Sequence, residues 1–179
     1  NVARGKGRYE VWDKVDLTSP QATELVRLLV ERGVYLDPTV AVFETAKTAG
    51  ADQPRAVRNM AALAAAFRKA GGLLVVGSHG RVPNAELGFA YHRELETYVE
   101  AGLSPVEALV AATRAGAEAL RIKDAGVIRA GNIADLVVVA GDPLTNISDT
   151  RKIEMVIHDG QILDRAILME KIAALKNRK

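Results

Sequence analysis

Apolar and polar positions alternate along this chain with two different periods. After Thr18-Ser19-Pro20, leucines 25, 28 and 29 recur at helical spacing as far as Arg32, and Gly33 closes the element. Ser19 is placed to cap that helix and Pro20 to occupy its first turn. Val34-Tyr35-Leu36 reads as a short buried strand running into Asp37-Pro38-Thr39. An alanine-rich helix is predicted over about 54–70, ended by Gly71-Gly72. Leu73-Leu74-Val75-Val76 is an unbroken apolar run, the pattern of a strand buried on both faces, and it leads into Gly77-Ser78-His79-Gly80. Two further helices are predicted over about 92–100 and 105–120, the second opened by the capping box Ser104-Pro105-Val106-Glu107.

The order to this point is α-β-α-β-α-α, the alternation of an α/β fold. From about residue 125 the texture changes. A strand over 136–139, a strand over 153–157, an Asp159-Gly160 turn and a return over 161–163 spell a small β module. A final helix is expected over about 166–175. The segments expected are therefore 1–124, 125–164 and 165–179.

With 179 residues the chain can bury a sizeable core, but it is shorter than the roughly 250 residues of a closed eight-stranded α/β barrel. Its 29 alanines against 4% aromatics point to closely packed helices. Charge excludes more than it suggests: 24 Lys+Arg against 22 Asp+Glu leave a net charge of +2, with the basic residues dispersed among acids. No nucleic-acid partner is expected from that. The short basic stretches 4–8 and 176–179 read as solvated ends. Without cysteine there is no disulfide, no thiolate metal ligand and no thiol nucleophile. No apolar run reaches membrane-spanning length and no signal peptide is visible, so no membrane partner is expected. The compartment is left open.

In α/β sheets chemistry gathers where strands end. Asp37-Pro38-Thr39 is one such place, and there the residues also suit a plain loop. Gly77-Ser78-His79-Gly80 is the other. An imidazole between glycines at a strand end can bind a metal, shuttle a proton or position a neighbour. Ser78 does not sit in a Gly-x-Ser-x-Gly elbow, which speaks against a serine nucleophile. His92, 13 residues further on, opens a helix expected to face the same mouth, where it either contacts a ligand or caps and packs. Arg81, Asn84 and Glu86 in the loop after the strand are candidates to contact a small-molecule substrate. His158 is expected to face solvent at the hairpin.

Together, several stretches resemble the C-terminal part of the amidohydrolase superfamily, the imidazolonepropionase- and dipeptidase-like metal-dependent hydrolases. They are residues 33–39, 73–80, His92-Arg93-Glu94-Leu95-Glu96, 101–109 with Ala112-Thr113, and the Gly-x-Ile-x-x-Gly-x-x-Ala-Asp-Leu run over 126–136. The resemblance implies the end of a (β/α)8 TIM barrel, its last two strands at 34–38 and 73–77, followed by part of a small β-sandwich. It implies a divalent metal, zinc in most relatives, and attack by water on a C–N bond. Earlier strands of the family, carrying most metal ligands, have no counterpart here. In the family the last strand ends in Gly-Thr-Asp, whose aspartate binds metal and takes the proton of the attacking water. Gly77-Ser78-His79 stands in that place, so by the resemblance His79 would replace the aspartate, as catalytic residue or metal ligand. A neutral imidazole can accept a proton or bind zinc but brings no negative charge. Ser78, Arg81, Asn84 and His92 are then the expected substrate contacts. The open sheet edges would be covered by the N-terminal part of the same enzyme or by self-association. A relative that has lost catalysis and acts as a structural or binding domain is the alternative.

Overall fold

The computed structural model describes residues 9–47 and 50–176. The basic stretch at 4–8 and most of that at 176–179 lie outside them. After a helical segment at 9–13, the elements are α1 (Pro20–Glu31), β1 (Tyr35–Leu36), α2 (Arg55–Lys69), β2 (Leu73–Leu74), α3 (Ala90–Glu100), α4 (Pro105–Ala112), α5 (Arg114–Ala119), β3 (Leu136–Val139), β4 (Ile153–His158), β5 (Gln161–Ile162) and α6 (Arg165–Lys176). The α/β order read from the sequence is the observed one.

Local signals act as expected at the helix ends. Ser19 Oγ accepts from Ala22 N at 3.2 Å, and the Ser104–Glu107 capping box is fully formed. At Gly33, φ 60°, the Gly33 N–H returns to Val30 O and the Val34 N–H to Leu29 O, paired bonds that stop a helix through a left-handed residue. The predicted helix 105–120 is in fact two, broken at Thr113 with φ −126° and ψ −89°. Nothing in the local pattern marks that break.

β1 and β2 pair in parallel, Tyr35 with Leu73 and Leu36 with Leu74. Each strand is shorter than its apolar run, because parallel strands gain regular pairing from neighbours on both sides, and among the described residues each has one. Only Leu74 of this pair is fully buried. The expectation of a strand covered on both faces is thus met at one position alone. The apolar stripe of α1 is only partly covered: Val26, Leu29 and Val30 are half-buried, none of its residues is fully buried, and Leu25 is 48% exposed.

The main core lies on one side of the two strands, where Ala64, Ala65, Leu74, Leu95, Tyr98, Leu103, Ala108 and Ala111 join Ile147 of the β module. Alanines at these contacts let α2, α3 and α4 approach closely. β3, β4 and β5 form an antiparallel sheet with an irregularity between Val138 and Val139. The Asp159-Gly160 turn has both residues at positive φ, 49° and 74°, the geometry of a tight hairpin of type I′. No helix among the described residues is long and apolar enough to cross a membrane.

Candidate functional site

Parallel pairing of β1 and β2 carries their following loops to the same sheet end. There Asp37 leans on the backbone of Gly77 so closely that a Cβ at 77 would collide with the Asp37 carboxylate. Thr39 Oγ1 donates to Asp37 Oδ1 at 2.9 Å and orients it. The two candidate strand ends are therefore adjoining parts of one mouth. Gly77→Ala is expected to swing the exposed Asp37 carboxylate aside, off its Thr39 hydrogen bond, at a cost of about 0.5 kcal/mol or less in urea unfolding. A loss above about 1 kcal/mol would place the strain in the backbone.

Ser78, His79 and Arg81 are exposed beyond Gly77, as is Glu86. Asn84 is engaged differently. Its Nδ2 donates to Glu44 Oε2 at 2.9 Å and to Thr45 O at 3.1 Å, while its Oδ1 accepts from Lys47 N at 2.8 Å. The side chain thus ties the loop after β2 to the segment after β1.

His92 turns toward the β module. Its Nδ1 lies 3.0 Å from Thr150 Oγ1, and its ring stacks at a tilt on Phe89, centroids 5.5 Å apart. Thr150 donates its one proton to Ile147 O at 2.8 Å, so the imidazole is the donor at Nδ1 and its Nε2 is left as an acceptor. Burial, then the positive charge of Arg151, lowers the His92 pKa, with Glu96 opposing. His92 borders a largely apolar cavity of about 400 Å³ between α3, α4 and the β module. The structure thus brings Ser78, His79, Arg81 and Asn84 into one loop system beside Asp37, and gives His92 a partner in the β module.

What the residue types did not reveal is the density of ties within 92–96. Arg93 grips Glu44 in bidentate fashion, Nη2 to Oε1 at 2.6 Å and Nε to Oε2 at 2.9 Å, with side chains only 5% and 1% exposed. It also reaches Glu100 at 2.7 Å and Glu96 at 3.2 Å. Glu96 continues the chain of charges to Arg151 at 2.6 Å and accepts from Ser148 at 3.0 Å. Burial would raise Glu96, but the Arg151 hydrogen bond and charge, with hydrogen bonds from Ser148 and Arg93, together outweigh it and hold the carboxyl below its ordinary range. Glu94, fully buried, accepts from Val40 N at 2.8 Å and Ala41 N at 2.7 Å. One helix therefore carries polar ties to the mouth on one side and to the β module on the other. Four charged residues in one short helix were the only sequence signal for it.

The amidohydrolase family matches residues 5–163, nearly the whole described chain. This chain belongs to that family. Within it, the chain is 53% identical over 45 residues to an imidazolonepropionase from Pyrobaculum arsenaticum, a stretch covering 25% of this chain and 11% of that protein. It superposes on a Xaa-Pro dipeptidase with methionine bound in its active site, TM-score 0.63 and 26% identity, over 79% of this chain and 37% of the dipeptidase. A prolidase complexed with N-methylphosphonate-L-proline matches with TM-score 0.60 and 27% identity over 79% and 37%. The chain thus spans little more than a third of these solved relatives. In this amidohydrolase chain, Asp135 of the Ala-Asp-Leu run has a local task. Its Oδ1 accepts from Asp159 N at 2.7 Å and pairs with His158 Nδ1 at 2.9 Å, pinning the exposed hairpin turn.

Among the described residues, no group of three or more His, Asp or Glu is arranged to hold a metal ion. The imidazole of His79 has the donor chemistry of a single ligand position.

Proposed function

We propose that this chain is the C-terminal part of a hydrolase that breaks a C–N bond of an amide, cyclic amide or dipeptide-like substrate by attack of water. Residues 1–124 then form the end of a (β/α)8 barrel, 125–164 part of a small β-sandwich, and 165–179 a closing helix and tail. Two observations support the barrel assignment: β1 and β2 have one partner each among the described residues, and part of the apolar stripe of α1, Leu25 and Leu28, is exposed. Further strands of the same enzyme would pair with those edges and cover that stripe. Exposed apolar positions on the β module, Val137 at 58% and Ile162 at 66%, fit a missing second half of a sandwich.

The observation that carries the functional reading is the shared mouth. Asp37 and Ser78-His79 adjoin at the strand ends in a chain whose family match spans both. A divalent metal, zinc in this reading, supplies an activated water and a polarised carbonyl when bound; His79 is the residue here suited to ligate it. A neutral imidazole has one lone-pair nitrogen, so His79 either ligates the metal or does the proton work. With the metal held by other residues of the enzyme, it takes the proton from the attacking water as the C–O bond forms and returns it to the nitrogen as the C–N bond breaks. Exposed Arg81 offers a guanidinium to a substrate carboxylate, as an amino-acid-like product side would require. Ser78 and Asn84 lie in the same loop as hydrogen-bonding groups, Asn84 already spending its amide on loop order. His92 shapes the α3–β module contact behind the mouth.

The family's other metal ligands have no counterpart in these residues, so the chain alone is expected to be inactive. Metal content and dipeptide hydrolysis of the intact enzyme that contains this chain test the reading together. His79→Ala is expected to lower kcat by about 10²-fold or more. His79→Asp should retain or raise the bound metal, because a carboxylate adds the negative charge that imidazole lacks. Absence of both metal and turnover in the wild type would favour the alternative, an amidohydrolase relative that serves as a structural or binding domain.

A further inference from the structure

Helix α3 reaches both strand ends with two residues one turn apart. After β1 the backbone enters the left-handed region at Thr39, φ 45°, and starts the short 3-10 turn Val40–Phe43. That start leaves the Val40 and Ala41 N–H groups without helical acceptors. Val40 is 0% and Ala41 1% exposed, so water does not serve them. Each meets a different oxygen of Glu94, at 2.8 and 2.7 Å. One turn on, Tyr98 Oη donates to Val75 O at 2.9 Å, just past β2.

A glutamate that merely filled space here would be replaced to advantage by leucine, since a fully buried carboxylate is costly. Two convergent N–H groups explain the residue type. A carboxylate has an acceptor oxygen for each, whereas glutamine has one oxygen and would turn its own N–H2 toward the second donor. The clamped turn is also wedged between elements: Val40 packs with Val57, Met60 and Ala61, and Ala41 with Val82 and Ala90 in the region after β2.

We propose that Glu94 is a positioning residue for the mouth: its carboxylate fixes the turn 40–43, and through it presets Asp37–Thr39 against Gly77–His79. The proposal rests on the hydrolase reading for its consequence in catalysis, and on geometry alone for the clamp.

Amide hydrogen exchange of the full chain, read at individual residues, is the direct test. In the wild type the Val40 and Ala41 amides should be protected like those inside α2. Glu94→Gln should speed their exchange by about 10-fold, the effect of losing one hydrogen bond, while α2 amides keep their rates. In dipeptide hydrolysis by the intact enzyme that contains this chain, the same variant should lose about 10- to 100-fold in kcat, with KM held within about threefold, because misplacement of the mouth affects the reacting geometry more than binding. Wild-type exchange at the rate of the exposed loop amides 86–88 would overturn the clamp without any variant. So would unchanged exchange in Glu94→Gln, or a loss confined to KM. Protected amides in an intact enzyme that hydrolyses nothing would refute the hydrolase reading alone; unprotected amides in an active enzyme would refute the clamp alone.

Discussion

Arg93→Ala is expected to lower the unfolding free energy by about 3–5 kcal/mol, the range for breaking a buried ion pair from one side. The guanidinium is 5% exposed and its partner Glu44 only 1%, so the substitution leaves a carboxylate out of water with its main counter-charge gone. Asn84 and Thr97 still donate to Glu44, at 2.9 and 3.4 Å, but neither brings a positive charge. Glu100 and Glu96 lose the same cation, Glu96 keeping Arg151. Arg93→Met should cost a similar amount, because side-chain volume is not what is lost. Combining Arg93→Met with Glu44→Gln should recover more than half, since the fully buried charge at 44 is gone, Glu96 keeps Arg151 and Glu100 is 32% exposed to water. Urea unfolding of the three variants in the full chain measures this. Equal losses in the single Arg93→Met and the double variant would show that packing, and not charge, is at stake.

The second expectation concerns pH and has the opposite sign to most acidic groups. Burial pushes the Glu94 carboxyl up to about 7, against the pull of the two N–H donors from Ala41 and Val40 and of Tyr98, with the Asp37 charge adding to the rise. In the unfolded chain it ionises near its ordinary value of 4.5. Between pH 4.5 and about 7 the unfolded state has therefore given up the proton while the folded state still holds it. Stability from this group falls as pH rises through that window, by about 3 kcal/mol in all, and is flat on either side. Glu94→Gln removes the titration. Relative to the wild type, the variant should gain about 3 kcal/mol between pH 4.5 and 8, with all other groups cancelling in the difference. Unfolding curves at a series of pH values provide the check; parallel pH profiles for the two proteins would sink the assignment. The clamp and the titration are coupled: the proton occupies one carboxyl oxygen below about pH 7, so both N–H groups meet a full acceptor only above it, and the exchange test is read at about pH 8.

Much of the fold was legible because it is written in local chemistry. Ser19-Pro20, the Ser104–Glu107 box, Gly33 and Asp159-Gly160 each satisfy a backbone requirement within a few residues, so a pattern of residue types predicts them. The break at Thr113 was not legible, since the residues on both sides favour helix. The short strands were not legible either. Apolar runs at 34–36 and 73–76 state that these segments prefer burial, not whether neighbours are present to provide it. At the candidate site, a histidine between glycines at a strand end announced itself. The acceptors and donors within 92–96 did not, because an acidic or basic residue on a helix is usually solvated, and only long-range partners mark it otherwise.

The sequence by itself determined the α/β order, the helix caps, the hairpin and the position of Ser78-His79 after the second strand, all consequences of short-range sterics and hydrogen bonding. The tertiary structure alone decided that Asp37 rests on Gly77, that His92 serves the β module, and that Arg93 and Glu94 are buried ties. Those outcomes depend on which segments meet across 40 to 58 residues of intervening chain, as in Glu94 with Val40 and His92 with Thr150. A carboxylate has the same composition in water and in a core. Its partners, and hence its charge and its task, exist only once the chain has packed around it.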